Sequence, residues 1–238
     1  INRDDENHQY FLNTASDKEP ITFGIDDLEF YKNSENGFIC QLNDYVFELP
    51  LVGEFNLSNA IAAYNSVKCL GFNDDQIIPC LAKLSPPPGR MQQLANSNIW
   101  IDYAHTPDAL DNALSTLKKH YPEFNIRVIF GCGGDRDKGK RQMMGKIASE
   151  RADSIILTND NPRSEDPQAI IDDILAGTKV ENDVQIILDR GDAIRSAIQS
   201  LGEEEALLIA GKGHETTQVI GSKSHPFSDI EVALDALK

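Results

Sequence analysis

Val128-Ile129-Phe130-Gly131-Cys132-Gly133-Gly134-Asp135-Arg136-Asp137-Lys138-Gly139-Lys140-Arg141 runs from an apolar strand into a glycine-rich, charge-dense turn, and Asp160-Asn161-Pro162-Arg163 closes the next apolar run. Two such loops at the ends of successive strands mark the carboxyl edge of an open α/β sheet, where that architecture binds ligands. The same rhythm continues on both sides. Apolar runs at 99–103, 126–130, 154–158, 184–188 and 206–210 alternate with helical stretches at 107–120, 140–152, 167–176 and 192–201. Strand and helix taking turns with short connections predict a Rossmann-like, doubly wound, mostly parallel sheet. A small hairpin around Gly221-Ser222 and a last helix over 228–237 complete it.

The first third of the chain reads differently. Short β-rich runs at 21–23, 38–42 and 45–49, separated by Asn, Asp, Ser and Gly, predict antiparallel strands. A helix follows, capped at Asn56 or Ser58 and stopped at Gly71, and a second spans 74–84. Ser85-Pro86-Pro87-Pro88-Gly89 cannot continue a helix, so it is a stiff linker that sets the expected boundary between domains 1–88 and 89–238.

With 22 Lys and Arg against 38 Asp and Glu, the net charge of −16 repels nucleic acid and anionic membrane surfaces. The cations between Arg136 and Arg141 form a local cluster suited to a small anion. Cys40, Cys69, Cys80 and Cys132 have neither metal-ligand nor CxxC spacing, which fits a reducing cytoplasm. No signal peptide opens the sequence, and no run approaches the roughly 18 apolar residues of a membrane span. The start at Ile1, without Met, suggests a piece of something longer.

Each motif admits a plain alternative. The glycines of Gly131–Gly134 let exposed amides face an anion, with Arg136, Lys138, Lys140 and Arg141 to pair it; otherwise the stretch is a solvated charged turn. The triphosphate-cradling order GxxxxGK[ST] is absent. Asp160 and Arg163, held by Pro162, present the opposite charges a zwitterionic amino-acid end requires, or else Asp160 simply caps a helix entry. Gly211-Lys212-Gly213-His214-Glu215 places a carboxylate that can accept an ammonium group, with His214 read as structural. Asp102, before Thr106-Pro107 as a helix start, serves a ribose hydroxyl, a metal-bound water or a buried cap. Arg90 follows the linker and is free to reach across a cleft.

Together with Gly53-Glu54-Phe55-Asn56-Leu57-Ser58-Asn59-Ala60, Gly89-Arg90-Met91 and Asp102-Tyr103-Ala104-His105-Thr106-Pro107, these loops resemble the Mur ligase family, from about Gly53 to the end of the chain. The resemblance implies the C-terminal part of a central α/β ATPase domain followed by the whole C-terminal, amino-acid-binding domain. It implies a cytoplasmic, monomeric peptidoglycan-precursor ligase that uses ATP and Mg2+, with the P-loop and the principal Mg2+ sites outside this chain. The family activates a carboxylate of the precursor as an acyl phosphate, which the incoming amine attacks, and no enzyme nucleophile is expected.

The sequence Asp160-Asn161-Pro162-Arg163 resembles that of members adding meso-diaminopimelate to UDP-N-acetylmuramoyl-L-alanyl-D-glutamate. By the same resemblance Arg136, Asp160, Asn161, Pro162, Arg163, Gly211 and Glu215 form the meso-diaminopimelate pocket, and Asn59, Arg90 and Asp102 contact ATP. No metal ligand is assigned to this chain. A departure stands at Gln92, where the family usually has Glu. Runners-up are a lysine-adding member, disfavoured by Arg163, a folylpolyglutamate-synthase-like relative, and a binding module without chemistry. A fragment without the P-loop is expected to be inactive alone.

Overall fold

The computed structural model describes residues 1–34, 36–179 and 183–238, and the chain divides at the proline run into two units, Ile1–Pro86 and Pro87–Lys238. In the first unit, α1 (His8–Thr14) precedes strands β1 (Phe30–Asn33), β2 (Phe38–Leu42) and β3 (Tyr45–Leu49), then helices α2 (Glu54–Cys69) and α3 (Asp74–Leu81). The strands form an antiparallel sheet in the order β1-β2-β3. Phe38, Cys40 and Leu42 alternate inward on β2 and meet Leu57, Ile61 and Tyr64 of α2 and Ile77, Ile78 and Leu81 of α3. Burial of these side chains, at about 1.5–3 kcal/mol each, holds the unit together.

Several local expectations are corrected here. Residues 21–23 are not a strand; Phe23 makes one isolated bridge to Asn2. The strand β1 was not expected, because all four of its residues are exposed and show no alternation. Gly53, at φ +97°, precedes α2 in the N-cap position, so Asn56 and Ser58 lie within the helix. Asn56 Nδ2 instead donates back to the Val52 carbonyl at 2.9 Å. The second helix is capped by Asn73, whose side chain and that of Gln76 bond each other's backbone N–H. Tyr10, Phe11, Ile21 and Val46 leave large apolar surface exposed in this unit.

The second unit contains β4 (Gln92–Gln93), β5 (Ile99–Asp102), α4 (Pro107–His120), β6 (Asn125–Phe130), α5 (Gly139–Arg151), β7 (Ser154–Leu157), α6 (Pro167–Leu175), β8 (Asp183–Ile186), α7 (Arg190–Gln199) and β9 (Glu205–Ala210), then the hairpin β10 (Thr217–Ile220) and β11 (Lys223–Pro226), and α8 (Asp229–Ala236). The main sheet has the order β4-β5-β9-β6-β7-β8. It is parallel throughout except where β4 pairs antiparallel with β5. This is the mostly parallel α/β sheet expected from the sequence.

Alternation along the strands separates two faces. Ile99, Ile101, Ile129, Ile156, Leu207 and Ile209 pack with Ala193, Ile194 and Ala197 of α7 and Ala233 of α8. Trp100, Val128, Phe130, Ile155, Leu157 and Leu208, equally buried, point the other way, where α4 packs on α5 and α5 on α6. A sheet covered on both faces explains why its strands read as unbroken apolar runs. Thr106 caps α4 with Pro107 at its first position, as expected. Among the described residues no helix is long and apolar enough to cross a membrane.

Candidate functional site

Strands β5, β9, β6 and β7 are neighbours in the sheet, so the loops leaving their carboxyl ends converge. Between those loops lies a cleft of about 560 Å³ lined by Arg136, Asp160, Asn161, Arg163, Gly211 and Glu215, and also by Tyr103, His105, Cys132 and Lys140. That volume suits a small ligand. Insertion of β9 between β5 and β6 brings Gly211–Glu215 against Asp160–Arg163, a closeness between segments some fifty residues apart in sequence.

The glycines of the β6 loop serve close packing of loop on loop. A Cβ at Gly131 would stand 2.0 Å from the Thr158 carbonyl oxygen, and one at Gly134 would stand 1.9 Å from that of Pro162. Pro162 is buried in that contact and does not line the cleft. The expectation of a wholly anion-facing cation cluster is corrected at Arg141. Its side chain is fully buried and pairs with Glu165 and Asp173, each at 2.9 Å. Lys138 also pairs with Glu165, at 3.0 Å, and Lys140 Nζ donates to the His105 carbonyl at 2.8 Å. The Arg141 guanidinium, the Asp135 N–H and the Lys138 ammonium together hold the Glu165 carboxyl down to about 2. Arg136 stays exposed at the cleft and has no acidic partner among the described residues.

Arg163 has the left-handed conformation, φ +52°, which a non-glycine residue adopts at a cost of about 1–2 kcal/mol. Its backbone is pinned there: N–H donates to the Val219 carbonyl at 3.1 Å, and its own carbonyl accepts from Gly221 N–H at 2.7 Å. Nη1 donates to the Gly134 carbonyl at 2.8 Å, which anchors one corner of the guanidinium at the cleft wall. The helix-entry alternative for Asp160 does not hold, because Asp166 caps α6. Asp160 is buried, and that burial raises its carboxyl against the pull of the Arg190 and Lys212 charges. Burial also opposes ionisation of Glu215, yet hydrogen bonds from Lys212 and Asn161 outweigh it and keep the carboxyl below its ordinary value. Burial pushes the Cys132 thiol up to about 12, which removes it as a nucleophile near neutral pH.

The residues expected to contact ATP are not brought together in one unit. Asn59 is exposed on α2 of the first unit, with Nδ2 donating to Asn56 Oδ1 at 3.2 Å. In the second unit, the Arg90 guanidinium lies 4.6 Å from the centre of the Tyr103 ring. Asp102 is buried, and Oδ2 accepts from Met91 N–H at 2.7 Å, tying the segment after the linker to β5. Burial raises its carboxyl, against backbone donation from Met91 and Ala104. Gln92 Oε1 accepts from Gly89 N–H at 2.8 Å, a bond the expected Glu would also make.

Sequence reasoning missed the charges beneath the cleft. Arg190, at the start of α7, and Asp229, at the start of α8, are both fully buried and pair at 2.7 Å. Arg190 Nη2 also donates to the Ala210 carbonyl at 2.9 Å, at the end of β9. Thirty-nine residues separate this pair, and no local pattern links them.

A mostly parallel α/β sheet whose strand-end loops gather guanidinium and carboxylate groups around one cleft defines a Rossmann-like domain. The family model described as "Mur ligase, glutamate ligase domain" matches residues 89–213, and the chain belongs to the Mur ligase family. It is 44% identical over 208 residues to the UDP-N-acetylmuramoyl-L-alanyl-D-glutamate--2,6-diaminopimelate ligase of Rickettsia rickettsii, covering 87% of this chain and 43% of that protein. It is 50% identical over 195 residues to the ligase of the same name from Coxiella burnetii, covering 80% and 40%. The chain thus spans less than half the length of these curated relatives. A solved structure of a ligase with that name superposes with a TM-score of 0.68 at 35% identity, over 100% of this chain and 52% of the other. The folylpolyglutamate synthase of Mycobacterium tuberculosis, solved with ADP, shares the fold at a TM-score of 0.68 and 21% identity, over 86% of this chain and 49% of that one.

Proposed function

We propose that this chain carries the amino-acid-binding part of an ATP-dependent ligase that adds meso-diaminopimelate to UDP-N-acetylmuramoyl-L-alanyl-D-glutamate. One observation carries the reading: the anchored Arg163 guanidinium lines the same cleft as the Glu215 carboxylate. Meso-diaminopimelate bears two amino-acid ends, whereas L-lysine has only an ammonium group where the second would be. A guanidinium aimed at the extra carboxylate separates the two, and Glu215 receives an ammonium. Arg136, Asp160, Asn161 and Gly211 complete the pocket, and Pro162 stiffens it from behind. The names of the similar 2,6-diaminopimelate ligases support the choice of substrate.

On this account residues 1–88 are the end of a central ATPase domain and 89–238 the amino-acid domain of a cytoplasmic, monomeric enzyme. ATP supplies the phosphoryl group that activates the precursor's carboxylate. This chain holds the attacking amino acid so that one amine faces the acyl phosphate, a gain from positioning more than from acid–base chemistry. Arg90, Asp102 and Asn59 are assigned to ATP. Among the described residues there is no cluster of three or more His, Cys, Asp or Glu that could hold a metal ion. The Mg2+ ligands and the phosphate cradle are assigned to sequence the relatives have and this chain does not span. Calorimetric titration of the chain with meso-diaminopimelate and with L-lysine tests the reading. Selective binding of meso-diaminopimelate is expected, and equal binding or none contradicts it.

A further inference from the structure

Lys212 is a charged residue with a fully buried side chain. An ammonium removed from water costs several kcal/mol unless it is paired and hydrogen-bonded. The flanking glycines let the loop turn it inward. Gly211 is at φ +113° and Gly213 at +53°, and a Cβ on Gly213 would stand 2.7 Å from the Gly89 carbonyl oxygen.

Both of its partners line the cleft. Nζ donates to Glu215 Oε2 at 2.8 Å and to Asn161 Oδ1 at 3.2 Å. Asn161 Nδ2 in turn donates to the same Glu215 oxygen at 3.0 Å and to Asp160 Oδ1 at 3.1 Å, while its Oδ1 also accepts from Val219 N–H at 2.9 Å. Every group on the Asn161 amide therefore has a partner of the right sense, and a flipped amide would oppose Lys212 and Val219 with N–H groups. Glu215 Oε2 receives two donors, and among the described residues Oε1 receives none.

We propose that Lys212 is a positioning residue of the cleft, locking Glu215 and Asn161 into one arrangement that offers Glu215 Oε1 as the open acceptor for an ammonium group of the ligand. This rests on the reading of the cleft as an amino-acid site. The charged groups acting on Glu215 are Lys212 beside it, Arg163 across the cleft, and Asp160 and Arg190 beneath. Of these, Lys212 donates a direct hydrogen bond and is the cation that most opposes the burial of Glu215. Without it, burial acts with less opposition and the carboxyl titrates at higher pH.

The test uses carbon-13 NMR titration of the glutamate carboxyls in the ligand-free chain, with the Glu215 signal assigned by its loss in Glu215→Gln. Wild type is compared with Lys212→Met and Lys212→Gln, and the same proteins are titrated calorimetrically with meso-diaminopimelate. In both variants Glu215 should titrate above its wild-type position, and binding should weaken about tenfold or more, the scale of one lost charge-assisted hydrogen bond. An unmoved Glu215 titration, or a lowered Tm with unchanged binding, overturns the proposal. Failure of both variants to fold assigns Lys212 to stability alone and overturns it equally. A wild-type chain that binds no meso-diaminopimelate contradicts the functional reading, and the NMR titration still decides the role of Lys212.

Discussion

Arg141 and Arg163 stand 22 residues apart and look alike in sequence, each closing a glycine- or proline-bearing loop beyond a buried strand, yet the fold gives them opposite surroundings. Arg141 is fully buried and spends its fork on Glu165, Asp173 and the Gly133 carbonyl. Arg163 lines the cleft, and the hydrogen bonds of its side chain run from Nη1 to backbone carbonyls. What separates the structural cation from the one we assign to recognition is whether carboxylates of the chain itself have already claimed it.

Removing the buried arginine should have the largest effect on stability. Arg141→Met takes from Glu165 and Asp173 their shared partner and should cost about 1.5–3 kcal/mol, measured by urea denaturation. Binding of meso-diaminopimelate by the folded fraction should persist. A stable variant that fails to bind would reverse the contrast between the two arginines.

Glu165 tests the same side by pH. Its carboxyl is lowered from 4.5 to about 2 in the folded chain, so its stabilisation is fully present above the unfolded value. As pH falls from about 4.5 toward 2, the unfolded chain takes up a proton that the paired carboxyl of the folded chain does not, and stability declines through that window. Glu165→Gln should flatten this part of a plot of Tm against pH. An unchanged slope would remove Glu165 as the partner that matters.

The smallest effect concerns Cys132, which lies in the cleft but has its thiol pushed up to about 12. Iodoacetamide at pH 8 should modify the exposed Cys69 and Cys80 well before Cys132, as read by peptide mass spectrometry. Early labelling of Cys132 would mean that the wall of the cleft opens more readily than its packing implies.

The sequence made the alternation of strand and helix legible because strands buried on both faces read as continuous apolar runs. Thr106-Pro107 and Ser228 also marked helix starts that the structure keeps. The insertion of β9 between β5 and β6 was not legible, since parallel pairing leaves no local trace. Nor was the exposed β1, whose Phe30-Tyr31-Lys32-Asn33 lacks an inward face. In the cleft, residue types pointed to the loops. The division of labour within them did not show, because Arg141 depends on residues 24 and 32 positions away and Lys212 on one 51 positions away. The strained backbone of Arg163 was equally invisible, since an arginine at φ +52° is favoured only by the contacts that trap it.

On the proposed function, Arg163 reads the carboxylate that distinguishes meso-diaminopimelate from L-lysine. Calorimetric titration of Arg163→Ala with both amino acids tests it most directly. Affinity for meso-diaminopimelate should fall by about 2–5 kcal/mol while any weak affinity for L-lysine is unchanged, so that the preference collapses. A variant that keeps the wild-type preference would contradict it and place the recognition of that carboxylate elsewhere in the cleft.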